Sequence, residues 1–143
     1  MEKLVFERTL KAPRDKVWRV ITEPAHLSQW YFDFSEQWKL EIGHTFEWEA
    51  GSPEGKQWLH KGMIVEIEPG SKLSHTWEYP GYIGWASVTW ELFTQDIETT
   101  LLKLTFEFLI PFDESEEALR KEAFEEGWNH IVNQSLVEYL EKI

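Results

Sequence analysis

From Lys3 to Lys11 the chain alternates: Leu4, Phe6 and Leu10 share one parity, and Glu7, Thr9 and Lys11 the other. That period of two is what a half-buried strand requires. Arg8 sits on the apolar parity, so its guanidinium belongs either at a rim or indoors beside an anion. Ala12-Pro13 punctuates the run, and Val17, Trp18 and Ile21 then recur at helical spacing until Pro24. A short helix is predicted there, proline being preorganised for a first turn. A second runs from Pro24 to about Trp30, with Leu27 and Trp30 on one side. From Phe34 to Phe108 the pattern is β, broken at Gly43, at Gly51-Ser52-Pro53-Glu54-Gly55, at Pro69-Gly70-Ser71, at Pro80-Gly81 and near Gln95 to Glu98. Those breaks predict six strands. Their inward sets are Phe34, Trp38, Leu40 and Ile42; Phe46 and Trp48; Leu59, Met63, Val65 and Ile67; Leu73 and Trp77; Val88, Trp90 and Leu92; and Leu102, Leu104, Phe106 and Phe108.

One-sided alternation with short connections indicates an antiparallel sheet with one wet face. The segment from Asp113 onward reads as one long helix, with Asp113 or Ser115 as N-cap. On a helical wheel its residues Phe124, Trp128, Ile131, Val132, Ser135, Leu136 and Tyr139 form a single arc. The sheet must bury its apolar face, and that arc is the only long apolar stripe on offer. The predicted fold is therefore α+β. A curved antiparallel sheet of about seven strands wraps around a long C-terminal helix, and the two short helices after strand 1 close a space between them. The segment from Pro13 to Phe34 would act as its gate.

Composition narrows the function. The chain has 143 residues, 14 Lys plus Arg against 26 Asp plus Glu, a net charge of −12, and no Cys. A single domain over residues 1–143 is expected at this length. The absence of Cys removes disulfides, thiolate nucleophiles and thiolate-ligated zinc. The acidic balance repels phosphate backbones and anionic headgroups, which argues against nucleic acid. No apolar run approaches the ~18 residues of a membrane span and no leader-like stretch opens the chain, so membrane insertion is not expected and a cytoplasmic location is.

The positive clue is aromatic: 9 Trp, 9 Phe and 4 Tyr. Such side chains either pack solidly or line a slot for a flat apolar guest. The positions aimed between sheet and helix are Trp30, Phe34, Trp38, Phe46, Trp48, Trp77, Trp90, Phe106, Phe124, Trp128 and Ile131. Four polar side chains join them as candidate ligand contacts: Arg8, His75, Ser135 and Tyr139. Arg8 could dock a carboxylate bidentately, and Ser135 and Tyr139 lie within the apolar arc. His44 and His75 share inward parities, although His26, His44, His60, His75 and His130 show no metal-ligand spacing. Among carboxylates only Glu36 falls on an apolar parity. No nucleophile elbow, P-loop, dinucleotide fingerprint or zincin motif is present. No catalytic residue, metal or cofactor is implied.

Several local motifs, taken in order, resemble one superfamily. They are Ala12-Pro13 with Val17-Trp18, Thr22-Glu23-Pro24 through Leu27 to Trp30, Gly43 with Phe46 and Trp48, and Gly62 through Glu66-Ile67 to Pro69, Leu73 and Thr76-Trp77. Val88 to Leu92 follows, and then Gly127-Trp128 with Ile131-Val132, Leu136 and Leu140-Glu141. This order is similar to the SRPBCC (START-like, helix-grip) superfamily, and within it to the family named for homologues of the activator of the heat-shock-protein-90 ATPase. The single Gly43 departs from the Gly-Gly pair usual there, and the chain leaves no room for the separate N-terminal chaperone-binding domain of the eukaryotic co-chaperones. The resemblance implies the helix-grip fold and a chain that binds or carries a small, largely apolar ligand, aromatic or lipid-like. Two alternatives accompany it: an enzyme of the cyclase or hydrolase type on a polyketide-like substrate, with Arg8, His75 or Tyr139 in support, or a module that binds a chaperone or another protein under stress.

Overall fold

A computed structural model describes residues 2–34 and 37–143. Strand β1 (Lys3–Leu10) is followed by helices α1 (Arg14–Thr22) and α2 (Pro24–Trp30). Strands β2 (Thr45–Gly51), β3 (Gln57–Glu68), β4 (Lys72–Glu78), β5 (Trp85–Asp96) and β6 (Thr99–Ile110) come next. The C-terminal helix comprises α3 (Lys121–His130), a π-helical turn (Ile131–Ser135) and α4 (Leu136–Lys142). The six strands form one antiparallel sheet in the order β1-β6-β5-β4-β3-β2. β2 to β6 make a meander, and β1 joins its far edge with Leu4 opposite Phe106 and Leu10 opposite Thr100. Pro13 starts α1 as its place in the sequence predicts: its carbonyl accepts from the backbone N–H groups of Lys16 and Val17 at 3.1 Å.

The strand count is six rather than about seven. Among the described residues of 31–44 there is no strand. Phe34 instead stacks on Trp38 with ring centroids 5.2 Å apart and meets Phe46 edge-on at 5.0 Å. The Trp38 indole N–H donates to the Thr22 carbonyl. These aromatic anchors plug the segment into the interior and against α1, while Leu40 and Ile42 face solvent. Glu36 lies outside the described residues.

The inward parity of β3 also differs from the sequence expectation. Leu59, Met63 and Val65 are 40%, 39% and 42% exposed on the outer face, whereas Trp58, His60 and Ile64 point inward. Pairing with β2 decides this: Phe46 lies opposite Gly62, and Trp48 opposite His60. A Cβ on Gly62 would come within 2.7 Å of the Phe46 ring, so the large ring needs the small partner. The register shifts between Ile64 and Glu66, which turns Ile67 back toward the core opposite Leu73.

The C-terminal helix begins at Lys121, with Arg120 and not Asp113 or Ser115 as N-cap. Asp113 caps a local turn by accepting from the Ser115 N–H at 3.0 Å and hydroxyl at 2.6 Å. The reason for the break is Leu119. On one continuous helix it would stand about 140° from Phe124, yet a short 3-10 turn (Glu117–Leu119) buries it.

Over most of its length the space between sheet and helix is solid. Phe46, Ile64, Leu73, Val88, Leu102, Leu104, Phe106, Val132 and Leu136 fill it. Helices α1 and α2 seal one end through Val17, Val20, Ile21, Leu27 and Trp30, whose indole donates to the Val20 carbonyl at 2.9 Å. The C-terminal helix is fastened to this end twice, by the Ser135 hydroxyl donating to the Trp30 carbonyl and by a 2.7 Å hydrogen bond between His26 Nδ1 and the Tyr139 hydroxyl. Among the described residues no helix is long and apolar enough to cross a membrane.

Candidate functional site: an aromatic cleft at the open end

At the end away from α1 and α2, sheet and helix part. A cleft of about 920 Å³ opens there between the β2–β3 hairpin and the segment from Glu116 to Ile131. Its walls are Phe32, Trp58, His60, Trp77, Tyr79, Phe124 and Trp128, and its rim carries Lys56, Glu116, Glu117, Glu126 and His130. The deep wall follows from strand geometry: Trp58 and His60 are alternate inward residues of β3, while Trp77 on β4 and Tyr79 just beyond it are alternate residues of the neighbouring segment. Phe124 and Trp128 are four apart on α3 and project onto the sheet from above, with Trp128 5.3 Å from Trp77 and Phe124 5.0 Å from Phe106.

His60 is held in a box of rings. It stacks on Trp48 at 4.9 Å and meets Trp77 edge-on at 5.1 Å and Tyr79 at 4.7 Å. Its Nδ1–H donates to the Trp58 carbonyl at 2.7 Å. Burial pushes its pKa down to about 4, because the charged form loses more hydration than the nearby Trp58 and Trp48 carbonyls return. The ring is neutral near pH 7. Burial likewise raises the Tyr79 phenol above its ordinary range, against a lowering by the Trp77 indole, which donates to the Tyr79 oxygen at 2.9 Å. At the rim, Lys56 donates to the Tyr82 hydroxyl at 2.7 Å and lies 4.0 Å above the Trp58 ring, so its charge is already engaged.

The sequence-derived candidates divide into three groups. Trp77, Phe124, Trp128 and Ile131 line the cleft. Trp30, Phe34, Trp38, Phe46, Trp48, His75, Trp90 and Phe106 belong instead to the packed interior or its margin. Ser135 and Tyr139 hold helix to helix, and Arg8 is exposed on β1, away from the cleft. His75 is buried as a neutral ring: its Nδ1–H donates to the Thr76 carbonyl at 2.8 Å, and burial lowers its pKa to about 4. The expected gate is corrected too, since α1 and α2 cover the closed end and only Phe32 of that segment reaches the cleft.

Sequence reasoning missed Phe32, Trp58, His60 and Tyr79. The signal available for two of them was the competing parity Trp58, His60, Gly62, Ile64, which carries the bulkier aromatic. Among the described residues two buried polar atoms have no partner, the Tyr31 hydroxyl and the Trp48 indole nitrogen. The Phe32 ring packs against both residues, with centroids at 4.4 and 5.5 Å. Among the described residues no group of His, Asp and Glu is placed to hold a metal ion.

An open antiparallel sheet gripping a C-terminal helix, with an aromatic cleft where the grip loosens, defines a helix-grip protein. The family assignment agrees: a model described as Activator of Hsp90 ATPase homolog 1-like protein matches residues 11–141, and the chain belongs to that family. Solved structures share the fold. Protein MLL2253 from Mesorhizobium loti is 23% identical with a TM-score of 0.74, covering 99% of this chain and 98% of its own. PFC0360w, an HSP90 activator from Plasmodium falciparum, is 16% identical with a TM-score of 0.69, covering 95% and 91%. DynU16, from the dynemicin biosynthetic locus, is 22% identical with a TM-score of 0.75, covering 99% of this chain and 48% of that one. Identities in this range establish the fold and nothing finer. No match to a curated protein was found.

Proposed function

We propose that this protein binds a small, flat, largely apolar molecule, aromatic or lipid-like, in the cleft between β3, β4 and α3, as a carrier or sensor and not as an enzyme. The observation that carries the reading is the cleft itself. Its volume of about 920 Å³ falls within the roughly 300–1,000 Å³ typical of small-molecule sites, and its walls are mainly aromatic. Apolar burial at ~25 cal/mol per Å² supplies the driving force, less the ordering cost of association. Trp58, Trp77, Phe124 and Trp128 make the apolar contacts, and Phe32 closes over the inner end.

Three indoles in the cleft wall make the test direct. A panel of aromatic and fatty ligands is titrated while Trp fluorescence and melting temperature are followed. A ligand that binds only the native state at a hundred times its Kd stabilises by about 2.7 kcal/mol. Saturable quenching with a raised melting temperature is expected, and the ligand should be recovered unchanged. No response across the panel refutes the reading, and turnover converts it to the cyclase or hydrolase alternative. A chaperone-binding role draws support from the family and from the likeness to the Plasmodium falciparum activator. Co-purification with a chaperone, weakening with salt, is its test.

A further inference from the structure

We propose that His60 and Tyr79 are the polar reading element of this cleft, His60 Nε2 accepting one hydrogen bond and the Tyr79 hydroxyl donating another. The ligand class that fits is a fused aromatic whose edge carries an N–H or O–H donor beside a carbonyl acceptor. The inference rests on the cleft being a ligand site and adds what that site selects.

The Nδ1–H of His60 donates to the Trp58 carbonyl, with the Trp48 carbonyl also close to the ring, and in that neutral tautomer Nε2 carries the lone pair. A ring that stays neutral near pH 7 keeps that lone pair available. The Tyr79 oxygen accepts from the Trp77 indole, and its hydroxyl hydrogen has no acceptor among the described residues. Both rings line the same cleft, and their side chains are nearly sequestered, with His60 6% and Tyr79 5% exposed. Their centroids are 4.7 Å apart at a 55° tilt, and no hydrogen bond joins them. Packing against Trp48 and Trp77 limits how far His60 can turn away. One acceptor and one donor therefore belong to neighbouring rings of a largely aromatic wall. A guest without the complementary pair leaves both desolvated and unpaired, the situation in which sites discriminate most sharply.

Carbostyril, a fused lactam with N–H beside C=O, is the probe. N-methylcarbostyril lacks the donor, 4-methylcarbostyril keeps both groups at the same bulk, and naphthalene has neither. Affinities are measured by Trp quenching and calorimetry. Carbostyril and its 4-methyl analogue should bind at least about tenfold tighter than N-methylcarbostyril and naphthalene, a difference of roughly 1.4 kcal/mol. His60→Phe keeps the ring box and Tyr79→Phe keeps the ring, with folding checked by near-UV circular dichroism. His60→Phe should bring the preference over N-methylcarbostyril to within about threefold, and Tyr79→Phe should cut the preference over naphthalene by at least about threefold. Equal binding of all four probes by the native protein overturns this inference while leaving the cleft a ligand site. A preference that persists in both variants overturns it as well. Binding of none of the four overturns the inference together with the reading beneath it. The comparison within the native protein needs no variant, so a misfolded substitution does not block the test.

Discussion

Lowering the pH from 7.5 to 4.5 should weaken the fold through two buried imidazoles. His60 and His75 are both nearly sequestered, and burial holds each near a pKa of about 4 against an ordinary value of 6.5. Between those values the unfolded chain takes up protons that the native chain refuses, so stability falls as the pH falls. At about 1.4 kcal/mol per unit, a separation of roughly 2.5 units amounts to roughly 3 kcal/mol per ring once complete. Most of it is lost by pH 4.5, so the two rings together remove about 5 kcal/mol from a domain whose total stability is on the order of 5–15 kcal/mol. The assay is urea unfolding at constant ionic strength at pH 7.5, 6.5, 5.5 and 4.5. At about pH 5.3 the slope should approach two protons per molecule, about 2.7 kcal/mol per pH unit. His75→Phe should reduce that slope by about half whatever it does to absolute stability. Stability that is flat from pH 6.5 to 4.5, or a slope indifferent to removing either ring, would refute the claim that these histidines are buried neutral.

Other outcomes can be checked alongside. Gly84 has φ +98°, and an added Cβ would meet the Pro111 carbonyl oxygen at 2.6 Å and Phe112 Cα at 2.7 Å. Gly84→Ala should cost about 2–4 kcal/mol, read as a melting-temperature drop of roughly 5–12 °C; an unchanged transition would sink the packing argument. Tyr139→Phe removes the hydrogen bond to His26 and should cost about 1 kcal/mol in chemical denaturation while leaving ligand affinity alone, because Tyr139 lies outside the cleft. Glu117 and Glu126 are exposed at the rim. Glu117→Gln and Glu126→Gln should change stability by less than about 0.5 kcal/mol and leave the affinity for a neutral guest unaltered, both measurable in one thermal-shift series.

Much of the architecture was legible in one dimension. In β6 the positions Leu102, Leu104, Phe106 and Phe108 alternate with Lys103, Thr105 and Glu107, so only one face can be buried, and the period settles which. Pro13 and Pro24 likewise mark where α1 and α2 begin, because a fixed φ and a missing N–H are local properties. β3 has apolar residues on both parities, and nothing local chooses between Leu59, Met63, Val65 and Trp58, His60, Ile64. The choice was made by the partner strand, where Phe46 needs Gly62 opposite it, and by the shift after Ile64 that returns Ile67 to the core. Leu119 broke the long helix for the same kind of reason, an anchor whose burial depends on what packs around it.

The candidate site divides along that line. The sequence alone determined that large rings would crowd between a sheet and a terminal helix. Where they interlock into a solid interior and where they stand apart as the walls of a cleft was decided only in three dimensions. Alternation records which side of a strand a ring faces, whereas empty volume is a property of how rings from distant segments fit against one another.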